Sequence, residues 1–399
     1  METSTQPSVR LRTCAQLQVV EQSSAGRPYF VVKHGPSGKC FGLSPGSYQL
    51  LRTFDSGASV SDVAPRVQRA VERLISSGLL ELEVPPPEAA PQTRTRRLLE
   101  RLKRFNPFYI RIGTVNPKRM LRVLQPVMSP LFTVPGFLVF VVSIACAIAV
   151  IALNSRRFYY SFFTFRTFSS WTLAYVVLCG ATVLHELGHA VACQRYGGEV
   201  REMGILLYFL QVGAYSNVTD AWMMPKRRHR IIVSLAGVYV EGFLFAIAIA
   251  VWAFTAWFSA ANTLAFVLAA ILAMRIVLNL FPLLRLDGYF VLSDAFEIRN
   301  LRPKAFQYVL SWLPKIGHRY VERPRHPIGR RIMLGIYGLL SLATIAIVMP
   351  AALWGLHSRV ASFDSNSAVV VFWILLVILG PISIASLVRQ ITGLRSGEA

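Results

Sequence analysis

The stretch Trp171-Thr-Leu-Ala-Tyr-Val-Val-Leu-Cys-Gly-Ala-Thr-Val-Leu-His185-Glu186-Leu187-Gly188-His189-Ala-Val-Ala-Cys-Gln-Arg-Tyr196 decides the reading of this chain. It is an apolar run of membrane-spanning length with two histidines and a glutamate near its end. In an α-helix, residues four apart lie about 40° apart around the axis. His185 and His189 therefore present their imidazoles on one face, at a spacing that binds one Zn²⁺. Glu186 sits one step round, where it can take a proton from a water at the metal. Ionisable groups inside a membrane-length run are costly and mark function by default. The plainer alternative is polar side chains reaching out from a helix end.

A hydrolytic zinc site usually has three protein ligands and one open position. The best third ligand is Asp287, in Asn279-Leu-Phe-Pro-Leu-Leu-Arg-Leu-Asp287-Gly288, at the end of the apolar run Thr263–Leu284. A carboxylate followed by Gly could also be a simple helix stop. The upstream histidine pair tips the balance towards a ligand.

His185-Glu-Leu-Gly-His189, followed by Asn279-x-x-Pro282-x-x-x-x-Asp287-Gly288, resembles the site-2 protease family of intramembrane zinc metalloproteases. Further stretches resemble a bacterial branch described as peptide zinc metalloproteases. They are Arg195-Tyr-Gly-Gly-Glu-Val-Arg201, Val218-Thr-Asp-Ala-Trp222, Ala236-Gly237 and Asp287-Gly-Tyr-Phe-Val-Leu-Ser-Asp294. The resemblance covers residues 105–390. It implies that His185, His189 and Asp287 are the zinc ligands, that Glu186 is the catalytic base and that Asn279 positions substrate. In one place the chain departs from the branch: Phe281 stands where a second asparagine is common.

With 54% hydrophobic residues, the chain is too apolar for an ordinary soluble protein. Its net charge of +22 could suggest nucleic acid. The basic residues cluster beside the spans, however, which fits cytoplasmic loops against an anionic leaflet. No nucleic-acid partner is expected. The five cysteines have no paired spacing, so neither a disulfide framework nor a cysteine-based zinc site is expected. The N-terminus carries no apolar signal-peptide core.

Residues 1–84 read as a soluble unit. Gln16–Gln22, Tyr29–His34 and Lys39–Leu43 are β-rich, and Gly35-Pro-Ser-Gly38 is a hairpin signal. Ser44-Pro45 opens a helix, as N-cap and first-turn proline. Helices are also expected from Ser59 and up to Gly78, and a strand over Leu79–Val84. The expected fold is a small α+β winged-helix-like domain. It resembles the PqqD-like peptide-recognition domain of ribosomal-peptide modification systems. That resemblance rests on Tyr29-Phe-Val-Val32, Phe41-x-Leu43-Ser-Pro45-x-x-x-x-Leu50-Leu51 and Leu74-x-x-x-Gly78-Leu79-Leu80, and implies binding of a leader peptide by strand addition. A folding or regulatory module with no ligand is the alternative.

Residues 85–130 read as a Pro-rich linker, Pro85–Pro91, and a basic juxtamembrane segment. From Arg94 to Arg122 there are ten Lys/Arg and one acidic residue, which suggests an amphipathic segment on the anionic cytoplasmic leaflet. Residues 131–399 read as the metalloprotease domain, a polytopic α-helical membrane unit. Its expected spans are Leu131–Leu153, Trp171–Cys193, Ile231–Trp257, Thr263–Leu284, Met333–Trp354 and Ala368–Val388. The loop charges put both termini in the cytoplasm, and the family resemblance implies a bacterial cytoplasmic membrane. Met203–Asn217 is too short to span and reads as a membrane-embedded hairpin. The family resemblance implies that Leu206–Tyr215 pairs with an extended substrate; a packing loop is the alternative. Asp220 reads as an N-cap or loop anchor; Glu241 is costly unless paired, so either a polar partner, with Arg275 as one candidate, or packing near a water path is expected.

The expected function is zinc-dependent endoproteolysis of a ribosomally made peptide recruited by residues 1–84. One rival is cleavage of a membrane-anchored regulator. The other is a non-proteolytic, peptide-binding component of an export or immunity system, and an export or accessory subunit is a compatible partner.

Overall fold

The computed structural model describes residues 11–14, 16–24, 27–55, 67–82, 109–162, 168–208, 211–257, 259–312 and 327–361. The N-terminal part begins with β1 (Leu11–Thr13), β2 (Leu17–Ser24), β3 (Arg27–His34) and β4 (Cys40–Leu43). Helices α1 (Pro45–Thr53) and α2 (Gln68–Ser76) follow, and then β5 (Leu80–Leu82). β2, β3 and β4 form one antiparallel sheet in that order, while β1 pairs with β5. The β3–β4 turn uses Gly38 at φ 66°, a left-handed conformation that glycine adopts without steric cost. Ser44 caps α1 by accepting the Ser47 N–H. Leu11, Val32, Leu51, Phe54, Leu74 and Leu79 close an apolar core. The helix expected from Ser59 lies outside the described residues.

A second three-stranded sheet crosses the boundary between the basic segment and the membrane unit. β6 (Tyr109–Val115) pairs antiparallel with β7 (Met203–Tyr208), which pairs in turn with β8 (Gln211–Ser216). The Met203–Asn217 hairpin therefore has a third strand, drawn from the segment expected to be amphipathic. The alternation Tyr109-Ile-Arg-Ile-Gly-Thr-Val115 is the strand signal there, masked by the charge around it. Helix α3 (Lys118–Met128) follows β6. The part of the basic segment at 94–108 lies outside the described residues.

Helices α4 (Val134–Leu153), α5 (Ser155–Ser161), α6 (Phe168–Arg195), α7 (Arg227–Phe254) and α8 (Ala260–Leu280) make up the body of the membrane unit. α9 (Asp287–Ala295), α10 (Leu301–Leu310) and α11 (Ile328–Ala361) complete it. Five of these helices are long and apolar enough to cross a membrane: α4, α6 from Tyr175, α7, α8 and α11 to Ile347. The sixth expected span, Ala368–Val388, lies outside the described residues. α6, α7 and α8 pack together, and α4 lies against α7. Val139, Val142, Ile247, Val277 and Ile336 all point outward. Such an apolar belt is tenable only against lipid, so this is an integral membrane protein.

The fourth span ends earlier than expected. α8 stops at Leu280, and Phe281 turns to an extended conformation at ψ 110°. Pro282 explains the stop, because it has no N–H and forces its predecessor out of helix. Asp287 thus opens a new short helix instead of ending the span.

Arg157 accounts for one basic residue in the otherwise weakly basic Asn154–Ser170 loop. Its guanidinium donates to the carbonyls of Trp252, Ala253 and Thr255 at 2.8–3.3 Å, closing the C-terminus of α7. Arg157→Ala is expected to destabilise the α7 end by about 1–3 kcal/mol. A fall in the unfolding temperature of detergent-purified protein measures it, and an unchanged temperature would refute the cap.

Candidate metal centre

α6 carries His185 and His189 on the face turned to α7, and α9 brings Asp287 to them. His185 Nε2 lies 3.0 Å from His189 Nε2 and 3.1 Å from Asp287 Oδ2. His189 Nε2 lies 3.5 Å from Asp287 Oδ1. Ligand atoms at about 2.0–2.2 Å from a tetrahedral ion stand about 3.3–3.5 Å apart, close to the spacing seen here. Both histidines are buried and Asp287 nearly so.

The outer sides of the imidazoles fix their tautomers. His189 Nδ1 faces the Val233 carbonyl at 2.7 Å. A carbonyl only accepts, so Nδ1 carries the proton and Nε2 keeps its lone pair. His185 Nδ1 faces Glu241 Oε1 at 3.2 Å, which favours the same tautomer. Two inward lone pairs 3.0 Å apart repel each other unless a cation lies between them. The donor set, two imidazoles and a carboxylate, fits Zn²⁺.

Glu241 is fully buried in α7, and its charge is matched by Arg275 of α8, whose Nε donates to Oε1 at 2.6 Å. Arg275 Nη1 reaches back to Thr182 Oγ1 of α6 at 2.9 Å. The pairing expected for Glu241 is therefore present, and it ties three helices together behind His185.

Two glycines make the approach of these elements feasible. A Cβ on Gly237 would lie 2.5 Å from His185 ring atoms, so only glycine lets α7 back the imidazole. A Cβ on Gly288 would lie 2.3 Å from the Leu280 carbonyl, so only glycine lets α9 start beneath the end of α8.

Glu186 points into a cavity of about 310 Å³ that it shares with His189, Asp287, Ser216, Asn217 and Trp222. Ser216 Oγ, at the end of β8, donates to Glu186 Oε2 at 2.6 Å. Sequence reasoning marks neither Ser216 nor Asn217, since nothing distinguishes a serine at a strand end. Asn279 sits half-buried on the last turn of α8 and is not among the residues lining the cavity. Asp220 is an anchor rather than a ligand: its Oδ2 meets Lys33 Nζ at 2.6 Å and the Glu199 N–H at 3.2 Å. Tyr289 is buried in an apolar cluster with Ile298, Leu301 and Leu334.

Glu241→Gln is expected to weaken zinc binding by about 10–100-fold, because it removes the charge that orients His185 and strands Arg275. Competition with a zinc-chelating dye measures the affinity. Wild-type affinity in the variant would refute the role of Glu241.

Residues 173–266 match the model of Peptidase family M50. That span holds His185, Glu186, His189 and Glu241 and ends before Asp287. A curated protein of Bacillus subtilis (strain 168), named "Putative peptide zinc metalloprotease protein YydH", is 30% identical over 122 residues. The aligned part is 31% of this chain and 47% of that protein, so the chain spans about half the length of the relative it matches. No solved structure matches the chain. Over residues 173–266 the chain is similar to the M50 peptidases, and His185, Glu186 and His189 fall inside the matched residues.

Proposed function

We propose that this protein is a zinc-dependent intramembrane endopeptidase of the site-2 type. The observation that carries the reading is the convergence of His185, His189 and Asp287 on one point, with Glu186 in the cavity that His189 and Asp287 line. The three ligands would hold Zn²⁺. When bound there, zinc supplies Lewis acidity, lowering the pKa of water and polarising a scissile carbonyl.

The chain's own residues supply the rest. Glu186 accepts the proton of the attacking water and passes it to the leaving amine. Ser216 fixes the orientation of the Glu186 carboxylate. β8 pairs only with β7 among the described strands, and in this reading its other edge takes an extended peptide. Strand pairing on that edge leads directly through Ser216 to Glu186. A peptide must lose its helix before hydrolysis, and a strand edge next to the cavity offers the unwound form its backbone partners. Asn279 contributes to substrate positioning from the end of α8.

The substrate in this reading is a ribosomally made peptide recruited by residues 1–84, a PqqD-like domain. Support comes from an open groove lined by Phe30, Tyr48, Gln49, Arg52 and Asp55, between the β2–β3 face and α1. β2 pairs only with β3 among the described strands, and Gln18, Val19 and Glu21 are exposed along it. In this reading an added strand extends the sheet from that edge. The protein works in this reading in a bacterial cytoplasmic membrane with both termini cytoplasmic, where its basic loops meet the anionic leaflet.

Glu186→Gln is expected to retain zinc while losing about 10³-fold in hydrolysis. Expressed in the native host and purified in detergent, it should hold an intact peptide that wild type cuts and that a chain lacking residues 1–84 fails to retain. Mass spectrometry of bound peptides reads all three. The same uncut peptide on wild type and Glu186→Gln would sink the protease and favour a binding component. Separately, 1,10-phenanthroline should abolish wild-type hydrolysis and added zinc should restore it; hydrolysis that survives complete metal removal refutes the zinc assignment.

A further inference from the structure

The N-terminal sheet does not hang free of the membrane unit. It meets the wall of the metal cavity. That wall is the segment Val218–Met224, whose Val218, Thr219, Ala221 and Trp222 line the cavity with Glu186 and Asp287. Lys33 of β3 reaches into it and pairs with Asp220 at 2.6 Å, both side chains being at least nine-tenths buried. The Gln22 side-chain amide, from β2, donates to the Trp222 and Met224 carbonyls at 2.7 and 3.1 Å. Tyr29 donates in turn to Gln22.

Two arginines of the membrane unit complete the contact. The Arg299 guanidinium lies between the rings of Tyr29 and Trp222, 4.9 and 4.8 Å from their centroids. Arg201 donates to the Gly35 carbonyl at 3.2 Å. Two N-terminal glycines leave room for them. A Cβ on Gly42 would lie 2.5 Å from Arg299, and one on Gly38 would lie 2.6 Å from Arg201.

A recruitment module on a tether needs none of this. A buried Lys–Asp pair is costly to desolvate and is disrupted when either partner is removed, because the other is left uncompensated. Here the pair is placed against the one segment that joins β8 to α7, the helix that backs both histidines. We propose that the N-terminal domain is a clamp on the catalytic cavity, with Lys33 as a positioning residue that holds Val218–Met224 through Asp220. This inference rests on the peptidase reading for its catalytic consequence and on the contacts alone for the clamp. Recruitment by itself predicts that Lys33 matters only for peptides bound by the N-terminal domain. The clamp predicts that Lys33 matters for every substrate, through turnover rather than affinity.

The test uses the full chain in detergent, as wild type, Lys33→Met and Lys33→Met/Asp220→Asn. The double variant removes the stranded carboxylate and keeps an oxygen acceptor for the Glu199 N–H. Hydrogen–deuterium exchange over 218–224 reads the clamp, hydrolysis of fluorescein-labelled β-casein reads turnover, and zinc content reads the ligands. Lys33→Met should raise exchange in 218–224 about tenfold and cut kcat about tenfold, with KM within about twofold and zinc unchanged. The double variant should recover most of both. Wild-type exchange in Lys33→Met overturns the clamp, and raised exchange with wild-type kcat overturns the positioning role. A wild-type protein that binds zinc but does not hydrolyse β-casein counts against the peptidase reading, while the exchange result still decides the clamp.

Discussion

Everything in the membrane unit is arranged around the need to keep charge matched where no water solvates it. His185 is useful as a ligand only if its inward nitrogen stays unprotonated, and its outer nitrogen then needs an acceptor. Glu241 supplies one, but a lone buried carboxylate would itself be intolerable. Arg275 answers it at 2.6 Å and reaches Thr182 on the helix that bears the histidines. One histidine thus recruits a carboxylate, the carboxylate a guanidinium, and the guanidinium a third helix. The packing of α6, α7 and α8 is the structural expression of that chain of requirements.

The grouping of His185, His189 and Asp287 was legible in the sequence because a metal site of this kind needs a local pattern. Two histidines four apart on an apolar helix share one face and are costly there without a cation to bind, and Asp287 is a carboxylate where apolar sequence ends. The pairing of Glu241 with Arg275 was legible for the same reason, since each is costly alone. Ser216 was not legible. Its contact with Glu186 depends on where a strand ends in space, and serine is ordinary at a strand end. β6 was concealed differently: nine basic residues around an alternating stretch, and Arg111 within it, made charge the louder signal. The end of α8 was misjudged because hydropathy runs on through Phe281 and Leu284, while Pro282 stops the helix by geometry.

In the N-terminal part, the turns and caps were the readable features. Gly38 in the left-handed region and Ser44 at the α1 N-cap are local devices, set by residue type. Its contact with the cavity wall was invisible for the opposite reason. Lys33 and Asp220 are 187 residues apart, and each alone reads as a surface charge. Lys33 alternates on β3 with Val32, and only the docked arrangement shows that both faces of the strand are covered.

The β6–β7–β8 sheet has a bearing on how the chain comes to be assembled. β6 is synthesised before α4 and α6, whereas β7, its partner, follows them. During synthesis β6 therefore waits as an unpaired edge while two apolar helices enter the bilayer. The sheet closes only when the second of them has delivered β7. Strand pairing of such sequence separation is slow, because the ends of a long loop must meet before any ladder bond forms. The positive charge flanking β6 then acts as a temporal safeguard. It keeps an exposed strand soluble and apart from its neighbours until the histidine-bearing helix is in place.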